Sequence, residues 1–437
     1  MQRSIRASLV LSLLCAGATH AMAADIRNWV VSWTASAQGP YPLGNPTAQP
    51  ELKFVFANPE QGATDQSFRL IVRPDLWGRE ARFRLSNVFG TRPVTFSGAR
   101  LGLQTSGAAL LPDSNRIVTF NGRPSVTVPP GGSVMSDTVV LTFVKDPADP
   151  MLVGRKLAIG FHVAGASGPM TWHAKGLQTS YLAQPGAPHT EDETEAAFPY
   201  STTSWFFLDA VVMTAPQGTK AIVAFGDSIT DGTSSTMNGD DRWPDVFARR
   251  VHAAYGNRYA VVNQGIGGNQ VVAPSDYKAA PIAGGPSALA RLDRDIVGLP
   301  GVGAVVWLEG INDFGTAGAS VDALMQGYRD GVAHLRKNLP GVKIYVATLT
   351  TALGSTPTHG TPEVDAKRKA LNAWFKTEKI FDGLVDFDAV AMDPATGSLP
   401  PAFKPGSTIG GPGDGLHPNR AGYAAMGGAV PLEWFKK

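Results

Sequence analysis

The chain has 437 residues, 38 of them basic and 36 acidic, and 43% are hydrophobic. That length suits two or three domains, the hydrophobic content excludes a disordered chain, and the near-balance of charge gives no ground for a nucleic-acid or anionic-membrane partner. Cys15 is the one cysteine, which excludes a disulfide framework and a cysteine-bound metal.

Arg3 and Arg6 precede an apolar run from Ala7 to Ala18 that ends in Ala21-Met22-Ala23. These are the three parts of a secretory signal, and the run is shorter than the roughly 20 apolar residues a spanning helix needs. Residues 1–23 are therefore predicted to be a cleavable signal that directs the chain to the periplasm or beyond. The mature chain would keep no cysteine, with 36 basic against 36 acidic residues.

From Asp25 to about Val212 the pattern is strand-like. Phe68-Arg69-Leu70-Ile71-Val72-Arg73 and Ala81-Arg82-Phe83-Arg84-Leu85-Ser86 alternate with period two. Similar runs recur at Arg116 to Phe120, Ser125 to Val128, Thr138 to Phe143 and Leu157 to Val163, separated by turns such as Asn121-Gly122 and Pro129-Pro130-Gly131-Gly132. No helical period lasts three turns, so residues 24–215 read as an antiparallel β-sandwich of jelly-roll type.

After the linker-like Thr214-Ala215-Pro216-Gln217-Gly218 the pattern changes, and residues 216–437 form a second predicted domain. Short apolar strands (Ala221 to Phe225, Ala260 to Asn263, Ala304 to Leu308, Lys343 to Leu349, Leu384 to Phe387) alternate with helical patterns at Pro244 to Ala254, Ser287 to Gly298, Val321 to Asn338, Glu363 to Lys376 and Arg420 to Gly427. That alternation argues a parallel sheet covered on both faces, an α/β fold. Chemistry in such a fold gathers outside the carboxyl ends of the strands.

The first of these strands ends in Gly226-Asp227-Ser228. A serine hydroxyl needs a base, usually histidine, and a third group to orient that base. Of eight histidines, only His417 sits in suggestive company, three residues after Asp414 and just before a predicted helix. The glycine-rich turn Gly265-Ile266-Gly267-Gly268 follows the second strand and can present backbone N–H groups to an oxyanion. Gly310-Ile311-Asn312-Asp313 follows the third strand and offers a side-chain amide.

Those four blocks, in that order, resemble the SGNH hydrolases, also called the GDSL esterase/lipase family, from about Lys220 to the end. Ile229 stands where the family name has leucine. The resemblance implies a flavodoxin-like three-layer sheet with Ser228 as nucleophile, His417 as general base then acid, and Asp414 as orienter. It also implies an oxyanion hole from the N–H groups of Ser228 and Gly268 and the amide of Asn312. Gly268 is chosen over Gly265 and Gly267 because Asn269 follows it. The amino-terminal half resembles that of exported two-domain members, which begin near a stretch like Trp29-Val30-Val31-Ser32-Trp33.

His162, His173, His189, His252, His334 and His359 read as packing, surface or loop residues. No metal-ligand spacing, phosphate loop or Gly-x-Ser-x-Gly elbow occurs, so neither a cofactor nor a metal is expected. The expected activity is hydrolysis of carboxylic esters, with short acyl groups on small molecules or carbohydrate as substrates. The alternatives are a lipase or arylesterase, acyl transfer to a sugar, or a carbohydrate-binding envelope protein with an inert hydrolase half.

Overall fold

A computed structural model of the protein describes residues 27–46, 49 and 52–436. The predicted signal and Cys15 lie outside the described residues. Strands of the amino-terminal half pair antiparallel in two larger sheets and one small one. The first sheet runs Asn28–Thr34, Leu208–Ala215, Glu80–Ser86, Ser133–Met135, with Val139–Val140 also on Glu80–Ser86. The second runs Tyr200–Thr202, Ser180–Leu182, Thr64–Val72, Leu157–Ala166, Val94–Leu103, Arg116–Ile117, with Ser125–Val128 also on Val94–Leu103. Phenylalanines fill their shared core, with Phe68 5.2 Å from Phe161 and Phe96 5.2 Å from Phe207 between ring centroids.

Two strands are shorter than expected. Arg116 to Phe120 pairs only at Arg116–Ile117 before Phe120 folds back on Arg123, and Thr138 to Phe143 pairs only at Val139–Val140 before a turn at Leu141. Alternation also understates burial in Thr64–Val72, where Arg69 lies inside. Its guanidinium donates to the carbonyls of Ala108 (2.6 Å) and Thr194 (3.2 Å) and rests 4.0 Å from the Phe198 ring.

In the carboxyl-terminal half five parallel strands stand in the order Tyr259–Gly265, Lys220–Gly226, Val302–Leu308, Lys343–Ala347, Gly383–Val385. In chain order that is 2-1-3-4-5, the flavodoxin-like arrangement, whose switch point lies beside the first strand. Ile222 and Ala224 face the helices Trp243–Tyr255 and Arg420–Ala429. Val223 and Phe225 face the opposite way, toward the helices Val321–Asn338 and Pro362–Thr377. The period-two alternation of one buried strand thus serves two helical layers.

The predicted helix Ser287 to Gly298 divides into Ala288–Leu292 and a π turn, Asp293–Val297. The fifth strand stops at Val385 because Asp386 caps a short helix, its side chain accepting from Ala389 N–H. No described helix is long and apolar enough to cross a membrane.

The two halves are packed together. Asn28–Thr34 lies against the edge strand of the parallel sheet, with Val31 N–H donating to Pro300 O (3.0 Å) and Thr34 Oγ1 donating to Asn263 O (2.8 Å). Val30 and Val31 belong to the same apolar cluster as Val223 and Phe225.

Candidate active site

Gly226 ends the first parallel strand where a Cβ would come within 2.0 Å of Leu308 O. Asp227 follows and caps the short helix Ser228–Asp231, accepting from Ile229 N–H at 2.9 Å. Ser228 therefore occupies the first helical position, where a backbone N–H has no intrahelical partner. Its Oγ lies 2.8 Å from His417 Nε2. On the far side of the ring, His417 Nδ1 is 2.5 Å from Asp414 Oδ2, while Asp414 Oδ1 accepts the N–H groups of Leu416 and His417, both at 2.9 Å. Burial works to raise the Asp414 pKa, but the hydrogen bond and charge of His417 and the two backbone donors outweigh it and hold the carboxyl well below the usual range. An ionised carboxylate keeps the ring proton on Nδ1 and leaves Nε2 to accept from the serine hydroxyl.

Gly268 has φ +82°, the left-handed region, and a Cβ there would meet Gly284 Cα at 3.4 Å. Asn312 stands at the start of the short helix Ile311–Gly315. Its Nδ2 donates to Asn269 O at 2.9 Å, which settles the amide orientation and leaves a second N–H to the cleft. Its Oδ1 is 3.1 Å from His359 Nε2, and His359 Nδ1 meets Thr356 Oγ1 (3.1 Å) and Thr358 Oγ1 (2.9 Å). Burial, then the neighbouring His417, lower the pKa of His359, so a neutral ring donates to the amide. Ser228, Gly268, Asn312 and His417 line one cleft of about 520 Å³, and Asp414 stands behind His417. All five residues expected from the sequence thus meet.

The cleft rests on Arg291, fully buried in the helix Ala288–Leu292. The guanidinium donates to Gly226 O (2.9 Å), Gln264 O (2.8 Å) and Asn269 Oδ1 (2.8 Å), pairs with Asp295 at 3.1 Å, and stacks 3.9 Å from the Phe225 ring. It ties the ends of the first two strands to the turn that carries Gly268. No local pattern marks it, because an arginine in a short helical stretch reads as a surface residue.

Asp227, Glu309 and Asp313 lie beneath the same strand ends. Burial pushes them up to about 7, 8 and 6 respectively, although Asp313 accepts from Val271 N–H and Val272 N–H. Unfolded carboxyls release their protons near pH 4, so between about pH 4 and 8 these three groups bind more protons in the folded chain than in the unfolded one. Stability from these groups therefore falls as pH rises through that window. We expect the melting temperature to drop between pH 5 and 8.5, and to drop less in Glu309→Gln; equal slopes by scanning fluorimetry would show that Glu309 is ionised throughout.

The amino-terminal half reaches this site with residues that sequence reasoning set aside or did not consider. His173, read as packed or surface, is buried with Nδ1 2.8 Å from Ser36 O and Nε2 3.1 Å from Asp231 Oδ1. Asp231 Oδ2 accepts from Gly267 N–H at 3.1 Å, so His173 braces the residue before Gly268. Lys175 and Asn45 line the cleft itself. His359, dismissed for want of a nearby acid, has an amide 47 residues away as its partner.

Solved structures similar to the chain include a carbohydrate acetylesterase from Sinorhizobium meliloti (16% identity, TM-score 0.36, covering 49% of this chain and 98% of that one). Others are an aryl esterase from M. smegmatis (17%, 0.36, 50% and 98%) and a GDSL-like lipase from Bacteroides thetaiotaomicron (20%, 0.35, 49% and 89%). No curated protein matches the chain in sequence. Residues 224–425 match the GDSL-like lipase/acylhydrolase family, and this part of the chain is a GDSL-like lipase/acylhydrolase domain.

Proposed function

We propose that the protein is an exported serine esterase that cleaves carboxylic esters of short acyl groups, acetyl above all, through an acyl-enzyme. Ser228 Oγ attacks the ester carbonyl carbon while His417 Nε2 takes its proton. The N–H groups of Ser228 and Gly268 and the free N–H of Asn312 hold the oxyanion. The intermediate collapses, the alcohol leaves with the proton from His417, and water repeats the sequence to release the acid. Asp414 keeps His417 in the right tautomer and balances the imidazolium.

The observation that carries this reading is the unbroken relay from Asp414 Oδ2 to His417 to Ser228 Oγ, at 2.5 and 2.8 Å, opening on a cleft that also holds Gly268 and Asn312. A cleft of about 520 Å³ suits a small ester or one unit of a polymer better than a long lipid chain. In this reading residues 24–215 are an accessory domain and residues 216–437 the catalytic one, with residues 1–23 removed on export.

A fluorophosphonate probe tests it. One equivalent is expected to react, with the added mass on the peptide that holds Ser228 and loss of 4-nitrophenyl acetate hydrolysis in proportion. Labelling elsewhere, or hydrolysis that persists in the fully labelled protein, would remove Ser228 as nucleophile.

A further inference from the structure

Lys175 comes from the amino-terminal half, just past the strand Thr171–His173, yet lines the cleft beside Ser228 and Gly268. It is 5% exposed. Its ammonium donates to Thr233 Oγ1 at 3.0 Å and makes no ion pair among the described residues. An ammonium carries three N–H donors, so two remain for acceptors that enter the cleft Lys175 lines. The neighbouring turn is shaped around it, since a Cβ on Gly267 would lie 3.0 Å from Lys175 Nζ.

The charge of the lining is one-sided. Among the described residues that line the cleft, Lys175 is the one lysine or arginine and none is a carboxylate. Burial lowers the Lys175 pKa, and the more distant carboxylates of Asp231, Asp414 and Asp227 work against that loss of charge. Pro274, Ile282 and Leu416 add apolar surface to the lining. A neutral ester would leave Thr233 Oγ1 as the one side-chain hydrogen-bond partner of this buried ammonium, a costly arrangement; an ester with a negative oxygen near the reacting carbonyl would supply a second, charged one.

Resting on the esterase reading above, we propose that Lys175 is an anion anchor, and that the preferred substrates are esters bearing a carboxylate close to the scissile bond. The carboxylate can come from either side of the ester: a dicarboxylic acid joined through one carboxyl, or an acylated hydroxy acid or uronic-acid unit. The β-rich half then determines substrate choice directly, by delivering a charged residue into the cleft of the other half.

Two matched pairs of esters, with the full-length protein, distinguish these sources. On the alcohol side, 3-carboxyphenyl acetate is compared with 3-carbamoylphenyl acetate; on the acyl side, the 4-nitrophenyl monoester of adipic acid is compared with its methyl-capped form. The readout is the ratio of kcat/KM within each pair, corrected by the hydroxide-catalysed rates. Wild type is expected to favour the carboxylate of at least one pair by about 10-fold or more, Lys175→Met to bring that ratio to about one, and Lys175→Arg to keep its direction. No carboxylate preference in either pair overturns the proposal on wild type alone, whatever the variants do. An unchanged ratio in a folded Lys175→Met overturns it as well, since equal loss on both members marks a packing role. Ser228→Ala run on the same pairs separates the two readings: rates like wild type would remove the serine mechanism, whereas an inert Ser228→Ala with an unchanged Lys175→Met ratio removes the anion anchor alone.

Discussion

Ser228→Ala is expected to lower kcat for 4-nitrophenyl acetate by on the order of 10⁴-fold or more, leaving the melting temperature within a few degrees of wild type. The size follows from what the hydroxyl does in the proposed mechanism: without Oγ no acyl-enzyme forms, and the remaining donors can assist only direct attack by water. The small effect on stability follows from the structure. Ser228 Oγ has one side-chain partner, His417 Nε2, and the backbone position at the start of Ser228–Asp231 suits alanine. His417 stays anchored by Asp414, whose other oxygen holds two backbone N–H groups. Stopped-flow assays and circular dichroism on the purified variant check both halves of the statement. Turnover within tenfold of wild type would mean that another group attacks the ester.

The residues legible in the sequence are those whose place follows from where a strand stops. Ser228, Gly268 and Asn312 come immediately after three apolar runs that must be buried strands, and a 2-1-3-4-5 parallel sheet brings those three ends together. Asp414 and His417 are three residues apart, a spacing that His189 and Asp192 share, and they stand out as the last of four blocks in order. In all these cases local pattern and fold topology carry the same information.

What was not legible is what reaches the cleft from elsewhere. Lys175 and His173 lie in the half read as an accessory sandwich, and nothing near them in sequence hints at Ser228. Ser36 and Gln38 of the same half meet Gln264 and Ala283 around the Gly268 turn, contacts spanning more than 200 residues. Arg291 has Asp295 at a helical spacing, but the contacts that bring it and His359 to the site are to the backbone carbonyls of Gly226 and Gln264 and the amides of Asn269 and Asn312, at separations with no recognisable pattern. A supporting shell of this kind is set by packing between segments, and packing has no period to read.

Asn312→Ala is expected to lower kcat by about 10²- to 10³-fold, with KM changed by less than about threefold. The asymmetry is the informative part. A donor aimed at the oxyanion binds the transition state more strongly than the ground-state carbonyl, so its loss appears in kcat. Asn312 is well prepared for that role, because one N–H is committed to Asn269 O at 2.9 Å and its Oδ1 is met by His359 Nε2 at 3.1 Å, leaving the second N–H nothing to reorganise during reaction. The substitution also strips Asn269 O of a donor in the turn that carries Gly268, so some loss could arise from a shifted turn instead. His359→Phe separates the two causes: it removes the contact to Oδ1 while leaving Nδ2 bound to Asn269 O, and is expected to lower kcat far less than Asn312→Ala does. If both variants lose activity equally, or if Asn312→Ala raises KM with kcat intact, the amide acts by holding the turn or the ground-state ester, and the oxyanion hole consists of backbone donors alone.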